Sequence, residues 1–159
     1  MKYGLDINNE EVSNFISENL KARGNFIVNF TERNNIVTGS ILLSKVILAY
    51  ITNIDFYFII EFKEDISFGE IYYSPCKVSK DIGENLLNIF HEEFENIICE
   101  NGEHLYLIKN IKAPVIYVKL PIKEKEEIEE LVMYKIIDLL VSIKEWYYKT
   151  IKYKNLIVL

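Results

Sequence analysis

Four charged residues stand out for the chemistry they could do. Glu10 and Glu11 open an amphipathic pattern, Glu61 closes a β-rich run, and Lys119 lies inside another. Carboxylates can hold a hard cation or take a proton from water. A lysine takes a proton only when apolar, positive surroundings lower its pKa strongly, and nothing in the sequence supplies them. A catalytic zinc needs about three nitrogen, sulfur or oxygen ligands and an open water position. The only two histidines, His91 and His104, lie apart from these residues. His91 sits among Glu92, Glu93 and Glu95 and reads as a solvated helix residue, and His104 as a loop or strand-edge residue. Cys76 and Cys99 have no metal or redox spacing and read as buried free thiols. There is no phosphate-binding G-x-x-x-x-G-K-[ST], no G-x-G-x-x-G, no G-x-S-x-G and no H-E-x-x-H.

The elements that must position these residues alternate between short apolar runs and longer amphipathic ones. Strands are expected at Tyr3–Ile7, Phe26–Thr31, Asp55–Phe62, Gly69–Ser74, Leu105–Ile108 and Val115–Leu120. Helices are expected at Glu10–Ala22, ended by Gly24, at Gly39–Thr52, at Ser79–Glu100 with Ser79 as N-cap, and at Lys123–Tyr148. This alternation predicts a three-layer α/β domain over residues 1–150. It would have a mostly parallel or mixed sheet of about six strands and helices on both faces. The apolar tail Ile151–Leu159 would pack on the domain or on a partner.

Composition limits the partners. The 159 residues are 50% hydrophobic and 26% charged, enough for one folded domain with a core. A net charge of -6 argues against nucleic acid. Lys45, Asn53 and Asp55 interrupt the apolar stretch Ile41–Ile60, which argues against a membrane span. The N-terminus lacks the apolar core of a secretory signal, so the chain as given reads as cytoplasmic.

Several segments, in order, resemble the zinc-dependent N-acetylmuramoyl-L-alanine amidases of the Amidase_3 type. Gly4-Leu5-Asp6 is similar to the opening strand of that family, and Asn9-Glu10-Glu11-Val12 to the start of its first helix. Phe26–Thr31 resembles its second strand. Asn53–Glu61 and Gly69–Ser74 are similar to its I-S-I-H and G-x-E-h-Y-Y segments. Ser79-Lys80 resembles the opening of its long helix. Pro114-Val115-Ile116-Tyr117-Val118-Lys119 resembles the P-a-V-L-V-E strand that carries its catalytic glutamate.

The departures fall on the residues that do the family's chemistry. The glycine-rich loop with the first histidine ligand has no counterpart. Glu61 stands where the second histidine is expected and Lys119 where the catalytic glutamate is expected. The glutamate ligand aligns with Asn9 if Val12 sets the register, and with Glu10 or Glu11 if it slips. The resemblance thus implies an amidase-like fold that has lost its zinc and its general base. No cofactor is expected. Glu61 and Lys119 would face each other in the relic pocket, with Glu10 and Glu11 as further binding candidates. The chain would act as an inactive binding or regulatory module of peptidoglycan metabolism, in a sporulation or phage lysis system of a low-GC bacterium. A protein partner, a second copy or wall peptide would be bound. An active amidase with a site rebuilt around Glu10, Glu11 and Glu61, or an unrelated α/β interaction protein, are the alternatives.

Overall fold

A computed structural model describes residues 1–31, 38–92, 94–122 and 130–156; side chains of Thr38 and of residues 146–156 lie outside the description. In chain order the elements are β1 (Lys2–Ile7), α1 (Glu10–Ala22), β2 (Phe26–Asn29), α2 (Thr38–Thr52), β3 (Phe56–Lys63) and β4 (Gly69–Tyr73). Then come α3 (Lys77–Phe90), β5 (Ile97–Asn101), α4 (Tyr106–Asn110), β6 (Val115–Pro121) and α5 (Glu130–Leu156).

The strands form one six-stranded sheet in the order β2-β1-β3-β6-β4-β5. Neighbours run parallel except β4 and β6, which are antiparallel. The sheet is therefore mixed and has helices on both sides, as the strand–helix alternation predicts. One face carries Leu5, Phe58, Ile60, Val118 and Leu120, packed with Ile16 of α1, Leu86 of α3 and Ile136 of α5. The other carries Tyr57, Ile59, Tyr72 and Val115, packed with Ala49 of α2 and Leu107 and Ile108 of α4. Side chains alternate along each strand, so odd and even positions serve different cores.

Several local expectations are corrected. The long helix ends at Phe90, and Ile97–Asn101 pairs with β4 as an edge strand. The polar stretch before Ile97 breaks the helical stripe, and Gly69 leaves room for Ile97, whose side chain lies 2.9 Å from where a Cβ would stand. Cys76, not Ser79, is the N-cap of α3; Ser79 is buried inside the first turn and donates to the Ser74 carbonyl at 2.6 Å. Leu105–Ile108 is not a strand. Its apolar run is too short to show a period, and the chain there turns into α4. The last helix continues past Tyr148 to Leu156, because no glycine or proline comes after Pro121 to stop it. The expected tail is thus helical as far as Leu156. Residues 123–129 and 157–159 lie outside the described residues, and so does the packing of the tail. Cys76 is exposed and Cys99 partly so, against the expectation of buried thiols; both are free. Among the described residues no helix is long and apolar enough to cross a membrane.

Candidate functional site

The carboxyl ends of β1, β3 and β6 bring together a cluster of ionisable groups on the face covered by α2 and α4. Binding crevices form at such strand ends in open α/β sheets. Asp6, near the end of β1, is 7% exposed. It accepts hydrogen bonds from Lys45 Nζ at 2.7 Å and from the Tyr57 hydroxyl at 2.8 Å. Lys45 is the one charged residue of α2, and it points inward. Burial raises the pKa of Asp6 above its ordinary value, and the Lys45 ammonium and both hydrogen bonds oppose that shift without cancelling it.

The sheet places Glu61 and Lys119 opposite each other in the parallel β3–β6 register. They do not pair. Lys119 is also opposite Glu70 across the antiparallel β4–β6 register, and its Nζ bonds to Glu70 Oε2 at 2.8 Å. The ammonium lies 4.9 Å from the centre of the Tyr72 ring and 5.6 Å from that of Tyr117, a cation–π cradle. Glu61 accepts a hydrogen bond from the Tyr117 hydroxyl and has Lys63 Nζ at 3.5 Å. Tyr117 titrates far above its ordinary range, first because it is buried and then because Glu61 accepts its hydrogen bond and repels the phenolate. Tyr72 is pushed up to about 12 by burial and then by Glu70.

Glu10 and Glu11 stand exposed in the first turn of α1. The buried side of that helix, Val12, Ile16 and Leu20, packs on the opposite face of the sheet. Asn9 uses its side chain as the helix cap, accepting from Val12 N at 3.0 Å. His91 is the exposed C-cap of α3, and His104 lies edge-on to Tyr72.

This donor set does not fit zinc. Among the described residues no three histidines, cysteines, aspartates or glutamates converge where they could hold a metal ion. The two best-buried carboxylates of the cluster, Asp6 and Glu70, already face ammonium groups, and a dication there would be repelled by both lysines.

Sequence reasoning places Glu61 and Lys119 on one face but misses Asp6, Lys45, Tyr57 and Glu70 as members of the cluster. The available signal is one acid in the apolar strand Tyr3–Ile7 and one lysine in an otherwise uncharged apolar helix. Buried charges occur in pairs, so each of these implies the other.

The Lys119–Glu70 pair is about four-fifths buried on each side. Lys119→Met is expected to cost about 1–2 kcal/mol, below the figure for a fully buried pair, because water still reaches both groups. Glu70→Gln combined with Lys119→Met is expected to cost less than Lys119→Met alone. Urea unfolding of the two variants checks the order; a double variant less stable than Lys119→Met alone would contradict it.

The architecture as a whole is that of an amidase-like α/β domain. It is similar to the catalytic domain of CwlV, an N-acetylmuramoyl-L-alanine amidase from Bacillus (Paenibacillus) polymyxa var. colistinus, with a TM-score of 0.60, 12% identity, and coverage of 92% of this chain and 98% of that one. The catalytic domain of CD27L, an endolysin targeting Clostridia difficile, gives a TM-score of 0.64 at 12% identity, over 89% of this chain and 94% of that one. N-acetylmuramoyl-L-alanine amidase AmiC2 of Nostoc punctiforme gives 0.62 at 12%, over 92% and 97%. At this identity the likeness establishes the fold alone. No family model and no curated protein matches the sequence.

Proposed function

We propose that this chain is a peptidoglycan-associated module that uses the amidase fold to bind wall peptide or a protein of the same system without cleaving an amide bond. The observation that carries this reading is the pairing of Asp6 with Lys45 and of Glu70 with Lys119 at the strand ends. Metal-assisted amide hydrolysis needs a polarised carbonyl and a water whose proton has somewhere to go. An ammonium carries no lone pair to take that proton, and a carboxylate committed to an ammonium is a weak ligand and a weak base. Glu61, hydrogen-bonded by Tyr117, is the carboxylate of the cluster without a buried lysine against it.

The test combines turnover and binding. The purified chain, supplied with zinc, is incubated with a muramoyl peptide, and newly freed L-alanyl amino groups are counted; in parallel it is sedimented with insoluble peptidoglycan. We expect no release and co-sedimentation that weakens in Glu61→Gln. Zinc-dependent release that disappears in Glu61→Gln would instead establish an active amidase. Absence of both release and co-sedimentation would overturn the wall reading itself.

A further inference from the structure

The outward face of α2 is the least ordinary surface of the described residues. A surface helix normally turns charged residues to water. Here Leu43 and Ile47 are each 51% exposed, Ile51 69% and Tyr50 72%. These positions are spaced by four, three and one, which makes a single stripe. No charge of α2 itself interrupts it, because Lys45 turns inward to Asp6; the Lys112 ammonium borders it, 5.7 Å from the centre of the Tyr50 ring. Phe26, 72% exposed, extends the patch. Its β2 neighbour Ile27 packs in the core on the far side of the sheet and Val28 on the α2 side, so Phe26 also faces the α2 side. Lys2, its register partner, reaches the Thr52 carbonyl at the end of α2.

From this geometry we infer that the α2 face is the interface between two copies of this chain, packed helix to helix in antiparallel fashion about a two-fold axis near Lys45. Three observations select a second copy as the occupant. The stripe is graded in size: Gly39, Ser40 and Ser44 lie towards one end, and Ile47, Tyr50 and Ile51 towards the other. An antiparallel two-fold opposes Gly39 to Ile51, Ser40 to Tyr50 and Leu43 to Ile47, so the largest side chains meet the smallest at both ends of the contact. Such a self-complementary patch is what an isologous interface requires. Among the described residues a Cβ built on Gly39 meets nothing within 4 Å, and the two-fold sets the Ile51 of a second copy there.

The second observation is charge. The molecule carries a net charge of -6, so two copies repel least across a helix that carries no acid. A membrane surface fits less well, since interfacial helices carry lysines and arginines along their polar side, and α2 has one lysine, already paired. The third observation is area. Taking ~200 Å² for a fully exposed large side chain, the five exposures amount to roughly 600 Å² per copy. The total of about 1,200 Å² lies at the lower limit for a specific complex. The dimer is therefore a weak one that forms as concentration rises.

Sedimentation velocity across a wide concentration range tests this with the full chain. The expected result is a concentration-dependent doubling of mass, with association weakened roughly tenfold or more in Ile47→Lys. Ile51→Ser, a milder change, gives a weaker loss in the same direction, and an unchanged melting profile shows that both variants fold. Register is tested by oxidative cross-linking in a Cys76→Ser background. A mixture of Leu43→Cys and Ile47→Cys chains is expected to cross-link faster than either variant alone. A wild-type chain that stays monomeric at every concentration would overturn the inference. So would a dimer indifferent to Ile47→Lys, or a monomer that instead binds neutral lipid vesicles through this stripe.

Discussion

Lys45→Met is expected to cost about 3 kcal/mol of folding stability at neutral pH, the low end of the range for deleting one partner of a buried ion pair. The mutation keeps the aliphatic volume of the lysine stem and deletes only its charge. Asp6 then remains beside the Tyr57 hydroxyl without the Lys45 ammonium, in a site where its side chain is 9% exposed. Asp6→Asn combined with Lys45→Met is expected to recover most of the loss, because the Asn amide oxygen can still accept from Tyr57. The pH dependence has a defined sign. The folded pKa of Asp6 is raised, so the folded state holds its proton to higher pH than the unfolded chain does. That contribution to stability is complete below the unfolded value of about 4 and is lost as pH rises through the folded value. Without Lys45 the folded value moves higher still. The gap between Lys45→Met and the wild type is therefore widest at neutral pH and narrows on acidification. Urea unfolding at neutral pH and in the acid range measures it. A gap that stays the same across this range would mean that Lys45 stabilises by packing and not by charge.

Gly4→Val is expected to cost about 3 kcal/mol, the upper part of the usual range for overpacking a filled core. Gly4 lies in β1 between the pairings to Val28 and Tyr57. A Cβ there would stand 2.7 Å from Tyr57 Cδ2, 2.8 Å from Phe30 Cε2 and 2.9 Å from Ile54 Cδ1. All three side chains are buried and none can swing into solvent. Intrinsic strand preference works the other way and favours valine over glycine by up to about 1 kcal/mol. The sign of the measured change thus decides which effect governs this position. A more stable variant would show that the Tyr57 ring is not held against the strand. A less stable one is expected also to disturb Asp6, whose hydrogen bond depends on where that ring sits.

The layered α/β architecture is legible in the sequence because it depends on the period of the apolar residues, which is a local property. The run Phe56–Ile60 is apolar at both odd and even positions, and the structure covers both sides of that strand. Partner choice is not local. Lys119 has an acid opposite it on each neighbouring strand, Glu61 at one side and Glu70 at the other. Which of the two it takes depends on β6 lying between β3 and β4, and no spacing in the chain encodes that order. Ile97-Ile98-Cys99 reads as helix for a related reason. The residues continue the apolar content of α3, and only their pairing with Gly69–Ile71 fixes them as a strand.

The position of β6 also bears on how the chain can be made. Among the described residues it is the last strand, yet it lies in the interior of the sheet, where it alone joins β2-β1-β3 to β4-β5. Until Val115–Pro121 has left the ribosome, β3 and β4 remain open edges with unpaired backbone groups on apolar strands. A nascent chain therefore holds two half-sheets that cannot dock, and closure waits on the pairing of Tyr57 with Val115, residues far apart in sequence. Non-local closure of this kind is slow, and its intermediate is the form most prone to aggregate. Synthesis that pauses before β6 has emerged from the ribosome prolongs the vulnerable state, whereas a pause after its emergence does not.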